Sequence, residues 1–361
     1  MSTTDLHRAL DADLSAVVPP PGDLARALRE GRRIRRRRRA TAVAGGVASV
    51  AAVAVLTVQL TGGQPLVGPH PGDPQPVAPL GRLDFSQGLR AYAAPGAEIH
   101  LGGRTFPGAR LHFLDTDATA TPYGVVFYDA GVPRLLDESG KVTDLERHAD
   151  TGNFRPTAKV DAQGPLVAYG AVIGGRRTVT VRDLATDRVV ARHAVGSDTV
   201  IDGLDDGVVL LRTSDGTTAW DTRTDEVRTL AGPRTRVADV RNGVLLYTGP
   251  APDGEAAADY RLVPGAIDAQ LTYDGRHVLY WSSRLAPTDG GRPIVLDRGD
   301  TGKGPAYGWW AIDTDGSVLT AVPDRGSRST VYDCEVPSGR CVELGPLTTL
   351  HGDPMFIGVD M

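Results

Sequence analysis

An uncharged apolar segment near the N-terminus stands out in the pattern of hydrophobic and polar positions. Residues 40–60 contain no charged side chain, and a helix of that length, rising about 1.5 Å per residue, spans roughly 31 Å, close to the hydrocarbon core of a bilayer. We therefore predict one transmembrane helix at residues 40–61. The alternative is a cleaved signal peptide, which the 39 preceding residues and the lack of a small-x-small cleavage site disfavour.

A cluster of arginines precedes this segment and sets its predicted orientation. No charged residue follows the segment until Asp73, so the positive-inside rule places residues 1–39 in the cytoplasm and the C-terminal portion outside. We predict a single-pass protein of the plasma membrane whose basic flank contacts membrane lipid. The clustered residues are Arg32, Arg33, Arg35, Arg36, Arg37, Arg38 and Arg39.

Two short segments flank the predicted anchor. Leu6, Leu10 and Leu14 recur at helical spacing, which predicts a short helical tail within residues 1–39. This tail resembles the cytoplasmic segments of anti-sigma factors, a resemblance that implies a partner inside the cell. Residues 62–80 are rich in Pro and Gly and are predicted to form an extended linker.

The remaining portion, residues 81–361, alternates short apolar segments with turns. One unit recurs six times, every 35–45 residues or so: an apolar strand, a turn, a second strand ending in Asp or a turn residue, and a polar strand. The apolar strands lie at residues 123–128, 166–169, 207–211, 243–247, 277–281 and 317–321. This pattern predicts an all-β protein with a β-propeller fold, whereas a pair of β-sandwiches and an irregular β-solenoid are the alternatives.

Two dipeptides carry a family resemblance within these repeats. Trp220-Asp221 and Tyr332-Asp333 end a predicted third strand, where the aspartate serves the following turn. In this respect the chain resembles bacterial membrane-anchored proteins with a WD40-like or TolB-like propeller, which implies an extracytoplasmic propeller but no activity. Residues 85–107 are predicted to pair with residues 355–359 and close a seventh blade; six blades is the alternative.

The composition is consistent with this interpretation, and the distribution of charge along the chain adds one expectation to it. Gly (44) and Pro (26) are spread among the turns, as a β-rich fold requires. Residues 1–39 carry ten Arg and five acidic residues, whereas the other residues carry 29 basic and 39 acidic ones. The outer portion is therefore acidic, and we expect no nucleic-acid partner.

The two cysteines, Cys334 and Cys341, lie close together in the predicted outer domain. A pair of cysteines cannot by itself supply the four ligands that a structural zinc site needs. Because exported proteins reside in oxidising compartments, we predict a disulfide across a hairpin. Free thiols and a metal or redox role are the alternatives.

Known catalytic and ligand-binding motifs are incomplete in this sequence. There is no Gly-x-Ser-x-Gly elbow, residues 299–304 lack the spacing of a phosphate loop, and residues 313–316 begin like a calcium loop but lack its distal ligands. We therefore predict no catalytic, cofactor-binding or metal-ligating residue. Trp309 and Trp310 are adjacent and must point to opposite faces of a strand, which makes them candidate exposed aromatic contacts; burial in the core of a blade is the alternative.

These observations favour a non-enzymatic membrane protein that displays a propeller outside the cell to bind a protein or another envelope component. Two further hypotheses stay open: a hydrolase or lyase acting on envelope glycan, and a signalling protein whose output is the cytoplasmic tail.

Overall fold

The computed structural model describes residues 90–94, 98–102, 104–107, 118–121, 123–137, 139–147, 149–150, 154, 157–162, 164–266, 269–280, 284–297, 310–323, 328–348 and 355–356. All of them belong to the second of two compact units, Pro76–Met361. The predicted cytoplasmic tail (1–39), anchor (40–61) and linker (62–80) therefore lie outside the described residues. Across the described part of the chain, no helix has the length and apolar character to cross a membrane.

The described chain begins with three antiparallel strands, Tyr92–Ala94 (β1), Glu98–Leu101 (β2) and Arg104–Pro107 (β3). Six sheets follow, each built from consecutive strands, and we call them blades 1 to 6. Blade 1 consists of Thr119–Thr121 (β4), Gly124–Asp129 (β5), Val132–Leu136 (β6) and Val142–Asp144 (β7). Blade 2 consists of Ala149–Asp150 (β8), Lys159–Val160 (β9), Leu166–Ile173 (β10), Arg176–Asp183 (β11) and Arg188–Ala194 (β12).

The next blades continue in the same order. Blade 3 consists of Val200–Asp205 (β13), Val208–Thr213 (β14), Gly216–Asp221 (β15) and Glu226–Ala231 (β16), and blade 4 of Arg236–Arg241 (β17), Val244–Thr248 (β18) and Arg261–Pro264 (β19). Blade 5 consists of Gln270–Leu271 (β20), His277–Tyr280 (β21), Arg284–Pro287 (β22) and Ile294–Val295 (β23). Blade 6 consists of Trp310–Ile312 (β24), Val318–Pro323 (β25), Arg328–Cys334 (β26) and Cys341–Thr348 (β27).

The last described strand returns to the first. Met355–Phe356 (β28) pairs antiparallel with β1, with Ala93 opposite Met355, so that β28, β1, β2 and β3 form one sheet, which we call the closing sheet. This pairing of the two ends of residues 81–361 was predicted from the sequence. It joins segments that lie more than 250 residues apart in the sequence. Through this pairing β1 and β28 each cover one edge of the other strand.

A separate hydrophobic core lies between each pair of neighbouring sheets. Leu210 and Ala219 of blade 3, for example, pack with Val237 and Leu245 of blade 4. Similar cores join every successive pair of blades, and two more join the closing sheet to blade 6 and to blade 1. Sheets that bury both faces against neighbours in cyclic order define a β-propeller, so the predicted all-β propeller fold is confirmed.

Blade 4 departs from the four-stranded pattern. Its strand β18 pairs antiparallel with β17 but parallel with β19, and the crossover between them contains the 3-10 helix Glu255–Asp259. A parallel third strand runs in the direction that the fourth strand of an ordinary blade takes, so the chain still enters blade 5 from the correct side. The crossover packs on β16 of blade 3, where Gly254 N–H donates to Leu230 O (3.0 Å).

Aspartates at the ends of the third strands organise the turns, as predicted. Asp221 Oδ1 accepts from Arg223 N–H (2.9 Å), and Asp183 Oδ1 accepts from Ala185 N–H (2.8 Å). Such Asx turns replace backbone hydrogen bonds that the strand loses where it ends. Asp333, at the same position of blade 6, instead accepts from Arg90 Nε (3.1 Å), a link to the start of the closing sheet.

Candidate binding site in the central channel

The first strands of blades 1 to 6 and the residues next to them surround a small cavity, which we call the central cavity. Its volume, as bounded by the described residues, is about 50 Å³. It is lined from blade to blade by Thr119 and Ala120, Ala158 to Val160, Gly203 and Leu204, Ala238 to Arg241, Gln270 and Tyr273, and Ile312. Because innermost strands present one unpaired edge to the channel, this lining combines backbone groups with a few charged side chains.

The strongest concentration of charge in this lining is contributed by blade 4. Asp239 Oδ2 accepts from Leu271 N–H of blade 5 (2.8 Å) and lies 3.0 Å from Arg241 Nε. The Arg241 guanidinium in turn stacks on the Tyr273 ring, with Cζ 4.2 Å from the ring centroid. Burial lowers the pKa of Arg241, but Asp239 and Tyr273 outweigh it and raise that pKa above its usual value. The guanidinium therefore carries its full charge.

A second charged group lies on blade 3. Arg212 Nε donates to both carboxylate oxygens of Asp202, at 3.0 Å each. Burial raises the pKa of Asp202, although the charges of Arg212, Lys159 and Arg236 act in the opposite direction. Lys159 of blade 2 is also among the residues that line the central cavity.

Two further buried carboxylates join neighbouring sheets. Asp205 accepts from the N–H groups of Asn242 (2.7 Å, to Oδ1) and Gly243 (2.8 Å, to Oδ2), so blade 3 holds the first turn of blade 4. Asn242 and Gly243 have φ values of +54° and +72°, the left-handed conformation of a two-residue hairpin turn. Asp313 makes the corresponding bond from blade 6, because its Oδ2 accepts from Arg90 N–H (2.8 Å).

Burial sets the titration of Asp205. It raises the pKa to about 6, and the negative charge of Asp161 adds to the effect, while the N–H donors of Gly243 and Asn242 act against it. Neither oxygen of this carboxylate is available to a substrate, since both accept hydrogen bonds from the backbone of blade 4. Asp205 is therefore a structural group with an unusual pKa.

The predicted disulfide is present. Cys334 and Cys341 are opposite residues of β26 and β27, with their Cα atoms 3.9 Å apart, and the bond closes the turn between these strands. The same turn also fastens blade 6 to blade 5, because Asp297 N–H donates to Gly339 O (2.7 Å) and Cys341 N–H donates to Asp297 O (2.9 Å). The disulfide thus stabilises a contact between blades as well as a hairpin.

Of the other predicted site residues, Trp310 is buried and the rest lie outside the described residues. Trp310 is only 7% exposed and packs between blades 5 and 6, so it is not an exposed contact; its position on the short inner strand β24 directs it into the core between those blades. Trp309 lies outside the described residues, as do Arg32, Arg33 and Arg35 to Arg39.

The calcium-like segment, residues 313–316, forms the turn between β24 and β25, where Gly316 N–H donates to Asp313 O (2.9 Å). No group of three metal-ligating side chains occurs among the residues described.

The cluster of Asp239, Arg241 and Tyr273 was not predicted from the sequence. Each residue is an ordinary member of a turn or strand end, and the three are brought together only when blade 5 packs on blade 4. One signal was present: Asp205 and Arg241 both immediately precede a two-residue turn ending in Gly, so Arg241 replaces an acidic residue at a matching position.

Comparisons with known proteins give no activity for this chain. No protein-family model and no curated protein sequence matches the chain. Similar solved structures include TolB from Acinetobacter baumannii, at 12% identity over 73% of this chain and 64% of that chain, with a TM-score of 0.37. The chain thus spans slightly less than two thirds of that TolB.

Two further structures have the same degree of similarity. A putative TolB from Agrobacterium tumefaciens has 12% identity over 64% of this chain and 81% of its own, with a TM-score of 0.34. Hsv2 from Kluyveromyces lactis has 12% identity over 60% and 73%, also with a TM-score of 0.34. The TolB-like resemblance predicted from the sequence is thus found among solved structures. Because the TM-scores are low, the fold assignment depends on the sheets and cores of this chain.

Proposed function

We propose that this chain is a non-enzymatic, single-pass membrane protein that displays a β-propeller outside the cell as a binding module. In this proposal residues 1–39 lie in the cytoplasm, residues 40–61 span the membrane, and residues 62–80 hold the propeller away from the surface. The uncharged segment and its arginine flank support the orientation. The disulfide between Cys334 and Cys341 supports export, because such bonds persist mainly in oxidising compartments.

The observation that supports binding over catalysis is the engagement of the buried carboxylates around the channel. Asp205 and Asp313 accept from backbone N–H groups of the next sheet, Asp239 does so from blade 5, and Asp202 is held by Arg212. A glycoside hydrolase needs two carboxyl groups that face a shared substrate. Asp205, Asp239 and Asp313 instead join neighbouring sheets, and Asp202 is paired within blade 3, so no contact among the described residues favours glycan hydrolysis.

We also propose that the closing sheet completes a seven-bladed ring, with β28 as its innermost strand. The register supports this arrangement, since Ala93 lies opposite Met355. In an Ala93→Cys/Met355→Cys variant we expect a cross-link under mild oxidation. A Gly102→Cys/Met355→Cys control, whose first position lies at the end of β2, should not cross-link. Cross-linking of neither pair would contradict the proposed ring.

Thiol trapping in intact cells tests the location. Alkylation with a maleimide-polyethylene glycol reagent should leave the full-length chain unshifted on a gel until a reductant is added, after which Cys334 and Cys341 should both react. A Cys334→Ser/Cys341→Ser variant should never shift. Thiols that react without reductant in rapidly quenched cells would contradict export.

Incubation of the purified full-length chain with cell-wall glycan, and separately with solubilised membrane proteins, tests the binding role. We expect specific recovery of one fraction relative to heat-denatured chain, with no soluble fragments released. Release of glycan fragments by the native chain would refute the non-enzymatic proposal and establish the hydrolase hypothesis. For the signalling hypothesis, deletion of residues 2–30 should change a cellular output while the propeller stays exported.

A further inference from the structure

The two outer strands of blade 2 are basic, although the domain to which they belong is acidic. Residues 176–194, which form β11, β12 and the turn between them, contain five arginines and two aspartates, whereas residues 40–361 together carry 29 basic and 39 acidic residues. In the last two strands of blades 1, 3, 5 and 6, with their turns, the numbers of basic and acidic residues differ by at most one. The excess of arginine is therefore a property of blade 2 and not of the repeat.

Ion pairs neutralise only part of this charge. Arg182 lies 2.8 Å from a carboxylate oxygen of Asp187, and Arg192 lies 2.8 Å from one of the buried Glu146. The exposed Arg188 forms no ion pair with any residue that the structure describes. The charges that these two pairs leave in residues 176–194 are Arg176, Arg177, Arg188 and Asp183.

These arginines lie on or beside a strand whose outer edge is open. β12 is the last strand of blade 2, and within the described part of the chain it pairs only with β11. One face of β12 is fixed in the fold, because Ala191 packs on the core between blades 2 and 3 and the His193 and Trp220 rings lie 4.9 Å apart. The exposed positions of β12 are Arg188, Val190, Arg192 and Ala194. We call the open edge of residues 188–194 the docking edge.

The outer strands of two other blades are covered at least in part. On blade 3, Gly254 N–H of the crossover donates to Leu230 O of β16 (3.0 Å). On blade 6, Cys341 N–H at the start of β27 donates to Asp297 O of blade 5 (2.9 Å). Within the described part of the chain, the seven residues of β12 receive no such backbone contact from a neighbouring blade, so a strand from another molecule has access to them.

From these observations we propose that the docking edge binds an extended acidic segment of a protein partner, which adds to blade 2 as a further strand. The backbone of such a segment pairs with the edge, and carboxylates at alternate positions face Arg188 and Arg192. A second copy of β12 is disfavoured, because the arginines of the two strands would face each other. The inference assigns one surface to the binding module proposed above and so rests on that function.

Peptide binding to the purified full-length chain in detergent tests the proposal. The probe is a short fluorescent peptide of alternating Glu and Val, and its anisotropy measures binding. We expect binding that weakens with added salt and that slows backbone hydrogen exchange in residues 188–194. A peptide of alternating Lys and Val should not bind. The acidic peptide methylated at every backbone nitrogen keeps its charges but has no donors for a strand, so it should bind at least about tenfold more weakly.

Two matched variants locate the binding. Arg188→Glu replaces an attraction by a repulsion on the docking edge and should weaken peptide binding about tenfold. Arg276→Glu makes the same change on blade 5, where the side chain is 78% exposed, and should bind as the wild type does. Arg192 is left unchanged because its loss would leave the buried Glu146 without its partner.

The proposal is overturned if the wild type does not bind the acidic peptide, if Arg188→Glu binds it equally well, or if methylation of its backbone has no effect. Tighter binding of phosphatidylglycerol vesicles or single-stranded DNA, with the same dependence on Arg188, would assign the arginines to phosphate instead. If the wild type and Arg188→Glu recover the same envelope component equally, the docking edge is refuted while the proposed binding function stands.

Discussion

The hydrogen bonds that Asp205 accepts make the joint between blades 3 and 4 sensitive to pH. The side chain is 6% exposed, and burial raises its pKa from 3.8 to about 6. Between those values the folded protein binds a proton that the unfolded chain does not bind. The resulting stabilisation is fully present below about pH 4 and is lost as the pH rises through 6.

Replacement of Asp205 by Asn isolates this effect, because Asn does not titrate. A shift of about two pKa units corresponds to about 3 kcal/mol at 1.36 kcal/mol per unit. We therefore expect the free energy of unfolding of the wild type, relative to Asp205→Asn, to fall by about 3 kcal/mol between pH 4 and pH 7. The sign is opposite to that of an ordinary paired carboxylate, whose stabilisation is lost in acid.

Denaturant unfolding of the full-length chain in detergent measures the difference, with tryptophan fluorescence as the signal, since Trp220 is fully buried between blades 2 and 3. Asp206→Asn serves as the matched control: Asp206 is the next residue, but its side chain is 59% exposed. Its stability should keep nearly the pH dependence of the wild type, because the Asp206 charge makes only the smallest of the contributions that raise the Asp205 pKa. If the free energy of unfolding of the wild type relative to Asp205→Asn does not change with pH, burial does not dominate the Asp205 pKa. If the wild type instead becomes more stable relative to Asp205→Asn as the pH rises, the N–H donors of Asn242 and Gly243 outweigh burial and our reasoning is refuted.

Three further changes test other contacts between or within blades. Reduction of the Cys334–Cys341 disulfide should lower the free energy of unfolding by about 2–3 kcal/mol, the loop-closure value for so short a loop, and the Cys→Ser double variant should show the same loss without reductant. Gly203→Ala should lower the free energy of unfolding by about 1–3 kcal/mol through overpacking, because the new Cβ would lie 2.2 Å from Val240 Cγ1 of blade 4. In unfolding experiments, Val240→Ala should therefore destabilise the Gly203→Ala variant less than it destabilises the wild type. Tyr128→Phe should cost about 1–2 kcal/mol, since it deprives the buried Gly170 N–H of blade 2 of its acceptor at 3.0 Å; a loss within error would show that another acceptor replaces the phenol oxygen.

The sequence predicted the second and third strands of most blades because these strands are apolar over several residues and end at aspartate turns. It did not separate the innermost strands, since β9 and β20 comprise only two residues each and carry no periodic pattern. Blade 4 was recognised only by β18. Its outer hairpin is replaced by a crossover and a parallel strand, so the strand–Asp–turn unit that identifies the other blades is missing there.

The candidate site could not be predicted for a related reason. A propeller repeats one local design, and each repeat position contacts the next blade in the same way. At the position before the first turn, blade 3 carries Asp205, which accepts two backbone N–H groups from its neighbour. Blade 4 carries Arg241 at the matching position, and a guanidinium cannot accept a hydrogen bond from the next turn. It stacks on Tyr273 instead and remains beside the channel.

This exchange of an acceptor for a donor has a structural cost that the neighbouring residues offset. Asp239, two residues earlier on β17, supplies the missing acceptor by binding Leu271 N–H of blade 5, and it also balances the charge of Arg241. The joint between blades 4 and 5 is thereby kept, while Nη1 of Arg241 has no hydrogen-bond partner within the described part of the chain. Where one repeat departs from the local rule and a second substitution compensates for it, the departure itself is the place to look for function. In this chain the departure lies at Arg241, on the lining of the central cavity.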